Sequence, residues 1–248
     1  MKYHLADIST RAPKDMDKVA TKQNQVDLLE ELDELQNLLF AENKHSLLIV
    51  IQGMDASGKD GAIKNIFGTL NPQGVAVTSF KAPTAEELGH DFLWRIHRHA
   101  PLKGTIQIFN RSHYEDILVT RVHKWIDDET AFKRMKAINR FEKLLVDHNN
   151  THILKFYLHV SKEEQKVRLD ERTKDIRKEW KYNENDYKES KLWDDYMKAY
   201  EDCFKECNAM PWTIVPADQN WFKEYTIATA VRDLLKSLHM KYPGIKKE

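Results

Sequence analysis

Residues 47–61 read LLIVIQGMDASGKDG: an unbroken apolar run empties into a loop bracketed by glycines and closed by a lysine. The run is too short for a helix and rich in β-branched residues, so it reads as a buried strand. Past the loop, AIKNIFGTL places Ile63, Ile66, Phe67 and Leu70 at helical spacing. Glycines let successive backbone N–H groups turn inward where the strand stops, and the helix presents its positive N-terminal end to the same point. That is an anion cradle. Gly53 to Gly58 and Lys59 fit G-x-x-x-x-G-K, with Ala56, Ser57 and Gly61 in the cradle and Lys59 adding a mobile charge. Nucleotide-hydrolysing loops carry Ser or Thr after the lysine to ligate magnesium; this chain carries Asp60 there, and a second carboxylate, Asp55, within the loop. Two carboxylates in a pocket built for anions make sense if they hold hydrated magnesium between phosphates.

A second candidate segment follows the third expected strand: FNRSHYED, residues 109–116. An acid at the end of a strand beside the first can reach the same metal. Asp116, seven residues past Phe109, is expected on a turn folding back over the phosphates, with Glu115 as the competing acid. The plain alternative is that both acids favour the N-terminus of a following helix. Arg111 offers a phosphate fork. Further on, Ser161 and Glu164 form a capping box, so a helix begins there. Arg168 and Arg172 on it share a face and are expected to close over a polyanion as a lid, the alternative being a solvated face balanced by Asp170 and Glu171. His97, His99, His113 and His123 are read as hydrogen-bonded or substrate-lining, because phosphoryl transfer depends mainly on positioning and charge neutralisation. The six tryptophans are read as core and interface residues, with one of them a candidate for touching a base.

The 248 residues balance 39 Lys and Arg against 39 Asp and Glu, which argues against nucleic-acid binding through a global basic field. Local cation-rich stretches at 95–103, including Arg95, and at 162–181 suit a concentrated anionic ligand. No linker, repeat or low-complexity tract divides the chain, and a single domain is expected. No apolar run approaches the ~18 residues that span a bilayer, and the first ten residues lack a signal-peptide pattern, so a soluble cytoplasmic protein without a membrane partner is expected. Cys203 and Cys207 are read as two reduced thiols.

Strands are expected at 47–51, 75–80, 105–109, 153–160 and 212–215. Helices are expected at 60–70, 84–98, 129–148, 161–174, 184–206 and 219–240. An irregular arm of ~20 residues precedes a first helix whose stripe is Val26, Leu29, Leu32, Leu35, Leu38 and Leu39; arm and helix together occupy 1–44. Such alternation gives a parallel sheet in a three-layer α/β/α sandwich of P-loop kinase type, with a helical lid at about 161–190 and ligands at the carboxyl ends of the strands.

Taken in order, GMDASGKDG, SFKAPTAEELGHDFLWRIH, FNRSHYED, SKEEQKVRLDER, KLWDDYMKAYED and VPADQNWF resemble the polyphosphate kinase type 2 family over about residues 45–235. The resemblance implies reversible phosphoryl transfer between inorganic polyphosphate and a nucleoside diphosphate or monophosphate. The nucleotide would be adenine, or alternatively guanine, with magnesium, or alternatively manganese, in a homodimer or homotetramer. It assigns Asp55, Lys59 and Asp60 to the phosphate loop, and Asn110, Arg111 and Asp116 to a second motif. Arg121, Arg168 and Arg172 would lie along the polyphosphate path. Metal candidates are Asp55, Asp60 and Asp116; nucleotide candidates are Asn110, Arg95 and Glu115. The segments TKDIRKEWKYNE and ECNAMPW depart from the family's usual forms, which bears on lid residues such as Arg177 and Lys181. Two readings compete: an ATP-dependent nucleotide kinase of thymidylate type, which usually carries Ser or Thr at position 60, and a non-catalytic nucleotide-binding module.

Overall fold

The computed structural model describes residues 4–245. After a 3-10 turn at Leu5–Asp7 come α1 (Lys18–Glu42), β1 (Ser46–Gln52), α2 (Lys59–Phe67), β2 (Val75–Ser79), α3 (Ala85–Leu88), α4 (Trp94–His97), β3 (Ile106–Asn110), α5 (Glu115–Val122), α6 (Asp128–Asn149), β4 (Thr151–His159), α7 (Lys162–Glu171), α8 (Ile176–Glu179), α9 (Glu184–Glu189), α10 (Trp193–Glu206), β5 (Trp212–Pro216) and α11 (Asn220–Ser237). All strand pairs are parallel, in the order β2-β3-β1-β4-β5. Two helix groups cover the sheet, one joining α1, α2 and α11, the other α5, α6 and α10. The three-layer α/β/α expectation holds.

Every residue of β1 is buried, as a central strand covered on both faces must be. Its neighbours β3 and β4 lead to opposite halves of the sheet, so the loop after β1 opens at the point where strand order reverses, where ligands of such sheets bind. Register does the rest. Ile51 of β1 pairs with Asn110 of β3, which places the Asn110–Arg111 segment beside the start of the phosphate loop.

All five expected strands form, within two residues at each end. The helical expectations need correction in four places. The single helix expected over 84–98 is two short ones, α3 and α4: Gly89 ends the first, and the Asp91 carboxylate accepts from Leu93 N (3.0 Å) to start the second. The helix expected over 184–206 is broken by a 3-10 turn at Ser190–Leu192. The stripe expected on α1 holds at Leu29, Leu32, Leu35 and Leu39, which are buried or packed against the core, but fails at Val26, which is half-exposed, and gains the buried Leu28. A helix expected only as the alternative reading of Glu115 and Asp116, α5, begins at Glu115 with both acids in its first turn. The N-terminal arm is irregular, as expected, and is tied to β4 and to the turn after β5. The carbonyls of Leu5 and Ile8 lie 3.1 and 3.2 Å from His159 Nε2, and Asp218 N donates to Thr10 O (3.0 Å). Among the described residues, no helix is long and apolar enough to cross a membrane.

Candidate active site

A cavity of about 1070 Å³ opens over the carboxyl ends of β1, β2 and β3, roofed by the segment from α7 to α9. Basic side chains outnumber acidic ones in its lining by nine to five, so it suits a polyanion. Its floor is the phosphate loop. Gly53 and Gly58 take φ values of 154° and 92°, and a Cβ on Gly53 would stand 2.8 Å from Ser57 Oγ and 2.9 Å from Leu158 O, so neither position tolerates a side chain without strain.

Lys59 opens α2 with its side chain folded back, Nζ donating to Gly53 O (2.7 Å) and Met54 O (3.0 Å). Burial, helped by the Arg111 guanidinium, pushes this ammonium down to about 8, against the upward pull of Asp55, Glu115 and Asp60. Asp60 faces the cavity: Asn110 Nδ2 donates to Oδ1 (2.8 Å), and Lys181 Nζ of the lid reaches Oδ2 (3.3 Å). Burial works upward on this carboxyl, but Asn110 and Lys181 outweigh it and hold it below the usual carboxylate range. Arg111 donates to Asp55 (2.6 Å) and lies 3.9 Å from Glu115. It takes a left-handed φ of 63°, a strained conformation for an arginine, at the turn leaving β3.

The donor chemistry fits a hard divalent cation. Asp60 presents oxygen to the cavity and Asp55 lies on the same loop, which matches magnesium's habit of taking one or two carboxylates and filling the rest with phosphate oxygens and water. Among the described residues there is no ready-made cluster of three or more His, Cys, Asp or Glu, so such an ion would need the substrate's oxygens to complete its shell.

Four expected residues sit elsewhere. Asp116 lies not on a turn over the phosphates but in the first turn of α5, where Arg95 Nη2 donates to it (3.1 Å) and Arg134 binds its carbonyl (2.7 Å). Burial, against the pull of Arg95, raises its carboxyl above the ordinary value. Arg95 also donates to Lys81 O (2.8 Å) and, like Asp116, stands behind the cavity wall rather than in it. Arg121 is seated at the other end of α5, paired with Asp128 (2.7 Å) and Asp202 (2.6 Å), outside this cavity. Glu115 is partly buried beside Arg111, outside the cavity lining, and desolvation raises its carboxyl.

The two lid arginines are not equivalent. Arg172 caps α7, pairs with Asp186 and donates to Lys181 O (3.2 Å). Arg168 directs all five of its N–H groups to protein acceptors: Nε to Glu164 (2.8 Å), Nη1 to the carbonyls of Ala56 (3.2 Å) and Ser57 (3.1 Å), and Nη2 to those of Ala217 (2.8 Å) and Asp218 (3.0 Å). It clamps the phosphate loop to the turn between β5 and α11. Of the two roles expected for the histidines, the hydrogen-bonded one holds for His113, buried against Glu142, and for His123, which pairs with Glu189; neither lines the cavity. Trp180 and Trp125 are largely exposed, contrary to the core reading, and Trp180 lines the cavity mouth. Both cysteines are free and buried.

Lys223, in the first turn of α11, escaped the sequence reading although its ammonium lies against Gly58. A signal was present: it sits seven residues past the end of the last strand, at the sheet end where ligands bind.

The polyphosphate kinase 2 family model matches residues 15–244. The chain belongs to that family. It is 45% identical over 214 residues to the AMP/ADP-polyphosphate phosphotransferase of Meiothermus ruber, covering 86% of this chain and 80% of the relative. It is 42% identical over 229 residues to the ADP-polyphosphate phosphotransferase of Rhodopseudomonas palustris, covering 87% and 79%. The crystal structure of polyphosphate kinase 2 from Arthrobacter aurescens superposes with a TM-score of 0.95 at 38% identity, over 99% of this chain and 89% of that one. The resemblance carried by the sequence motifs is therefore a family relationship along the chain.

Proposed function

We propose that this polyphosphate kinase 2 family member transfers a phosphoryl group reversibly between inorganic polyphosphate and an adenine nucleotide, taking ADP to ATP and AMP to ADP, with magnesium or manganese bound. The observation that carries the reading is Asp60, a carboxylate after the phosphate-loop lysine, facing a cavity in which cations predominate. The names borne by the two relatives support both acceptors. A donor and an acceptor that are both polyanions repel, and a carboxylate-held cation between them reduces that repulsion.

In the forward step a phosphate oxygen of the nucleotide attacks the terminal phosphorus of the chain. The P–O bond to the rest of the chain breaks, and its electron pair leaves on the shortened polyphosphate, with no proton transfer required. Lys59 would leave its two carbonyl acceptors for the oxygens of the transferring group, while Arg111, held by Asp55, would meet the same charge from the β3 side. Asp60 and Asp55 would hold the divalent ion, which supplies charge neutralisation between the two phosphate groups.

The test incubates the protein with magnesium, polyphosphate and ADP, AMP or GDP in turn, and resolves the products. ATP formed from ADP with polyphosphate as the sole donor supports the reading. Phosphorylation of a nucleoside monophosphate by ATP but never by polyphosphate would replace it with the thymidylate-type alternative.

A further inference from the structure

Lys223 is one of the largest fully buried side chains, 1% exposed, yet among the described residues no carboxylate forms an ion pair with it. Its Nζ donates to Gly58 O (3.2 Å) and Asn220 Oδ1 (2.8 Å). An ammonium has three N–H groups, so one has no protein acceptor there. The contact with the phosphate loop is intimate: a Cβ added to Gly58 would stand 2.3 Å from Nζ. The nearby acid, Glu224, accepts from Asn65 instead (2.9 Å).

Burying a cation without a counter-charge is costly. Here burial, then Arg168 and Lys59, disfavour the charged form and push the group down to about 8, with Glu224 alone opposing. Lys223 lines the cavity, so an anion entering from solvent would supply the missing partner. Arg168 is a poor alternative, since each of its donors is already bound to protein.

The surroundings indicate which anion. The lining residues that α2 and α11 contribute around Lys223, Gly61, Asn65, Asn220 and Glu224, offer no apolar or aromatic surface for a base, whereas Phe80 and Ala82, after β2, and Trp180, of the lid, do. We propose that Lys223 is a second phosphate-binding lysine, holding the polyphosphate chain beyond the unit that is transferred at Lys59. This rests on the polyphosphate reading above and deepens it.

Titration calorimetry with sodium tripolyphosphate and, separately, with ADP tests the assignment without turnover. Loss of one charge-assisted hydrogen bond predicts a 10- to 100-fold weaker affinity for tripolyphosphate in Lys223→Met, with ADP affinity within twofold of the parent. The salt dependence should be shallower, and Lys223→Arg should restore most of the affinity. Because Met removes an uncompensated buried charge, the melting temperature should not fall. Binding by the parent should weaken as pH rises through 8, and less so in Lys223→Arg, whose guanidinium stays charged. Equal losses for both ligands, or unchanged tripolyphosphate binding in a folded Lys223→Met, would overturn the proposal. If Lys223→Met does not fold, the same judgement falls on Lys223→Arg: affinity near the parent with a flatter pH profile supports the proposal, and an unaltered pH profile refutes it. Tripolyphosphate binding that depends on Lys223 in a protein with no transfer from polyphosphate would reject the reaction and keep the site.

Discussion

At the scale of single residues, the site depends on charges that are held but not neutralised. Lys59→Met removes the cation that would face the transferring phosphoryl group, while the methylene stem keeps its packing. Turnover should drop on the order of 10² to 10³-fold with the melting temperature nearly unchanged; parent-like turnover would exclude Lys59 from the reaction. Asp60→Asn keeps the shape and the Asn110 neighbour but removes the charge that attracts a hard cation. Its activity should recover partly as magnesium is raised. A loss of similar size at every magnesium concentration would show that Asp60 orients Asn110 or Lys181 rather than metal. Arg111 shows the limit of reading residues singly. Its type suggested a phosphate fork, but its left-handed backbone and its grip on Asp55 follow from the turn that leaves β3.

Elements position these charges, and two buried devices do most of that positioning. Arg168 joins α7 to the phosphate loop and to the β5–α11 turn, so Arg168→Ala leaves several carbonyls without donors. With about 0.5–1.5 kcal/mol net for an ordinary hydrogen bond, a measurable fall in melting temperature is expected, and the Michaelis constants for polyphosphate and nucleotide should rise together. A rise for polyphosphate alone, with stability unchanged, would return Arg168 to the role of a phosphate ligand. The second device holds Tyr114, three residues after Arg111. Lys155 of β4 donates to Glu142 (2.8 Å), Tyr114 Oη (2.8 Å) and Cys207 O (2.9 Å), while Tyr114 Oη donates to Glu142 (2.7 Å), all in the dry interior. This network fixes the segment that carries Arg111 and Glu115. Lys155→Met should cost about 3–5 kcal/mol, because it strands a buried carboxylate. Burial pushes the Glu142 carboxyl upward, but Lys155 and His113 prevail and hold it below its usual range. The folded state therefore binds fewer protons here than the unfolded chain. The pair's stabilisation is present above the ordinary carboxylate range and is lost as pH falls below it. A urea midpoint that does not shift between pH 7 and pH 4 in the parent relative to Lys155→Met would contradict this.

Across the whole molecule, the residues after α7, 173–189, close the cavity with few buried apolar contacts: Ile176 and Trp180 are mostly exposed, and the contact with Asp60, through Lys181, is an exposed pair worth little by itself. Residues 173–189 should exchange amide hydrogens faster than β1 or β4, and tripolyphosphate with magnesium should slow them. Protection equal to the core before any ligand is added would mean that the segment is a fixed wall. The sequence by itself determined the succession of elements along the chain: the apolar run at 47–51, the glycines and Lys59, the five strands, and the family motifs are local patterns, legible because backbone conformation and phosphate binding depend on neighbours a few residues apart. Only the tertiary structure decided how distant charges are matched. It turned Arg168 inward as a clamp, drew Asp116 to Arg95 and Arg121 to Asp202, and left Lys223 beside Gly58 without a counter-ion. Those outcomes depend on which groups meet across the sheet and how completely burial removes water, and neither is written in the spacing of residues along the chain.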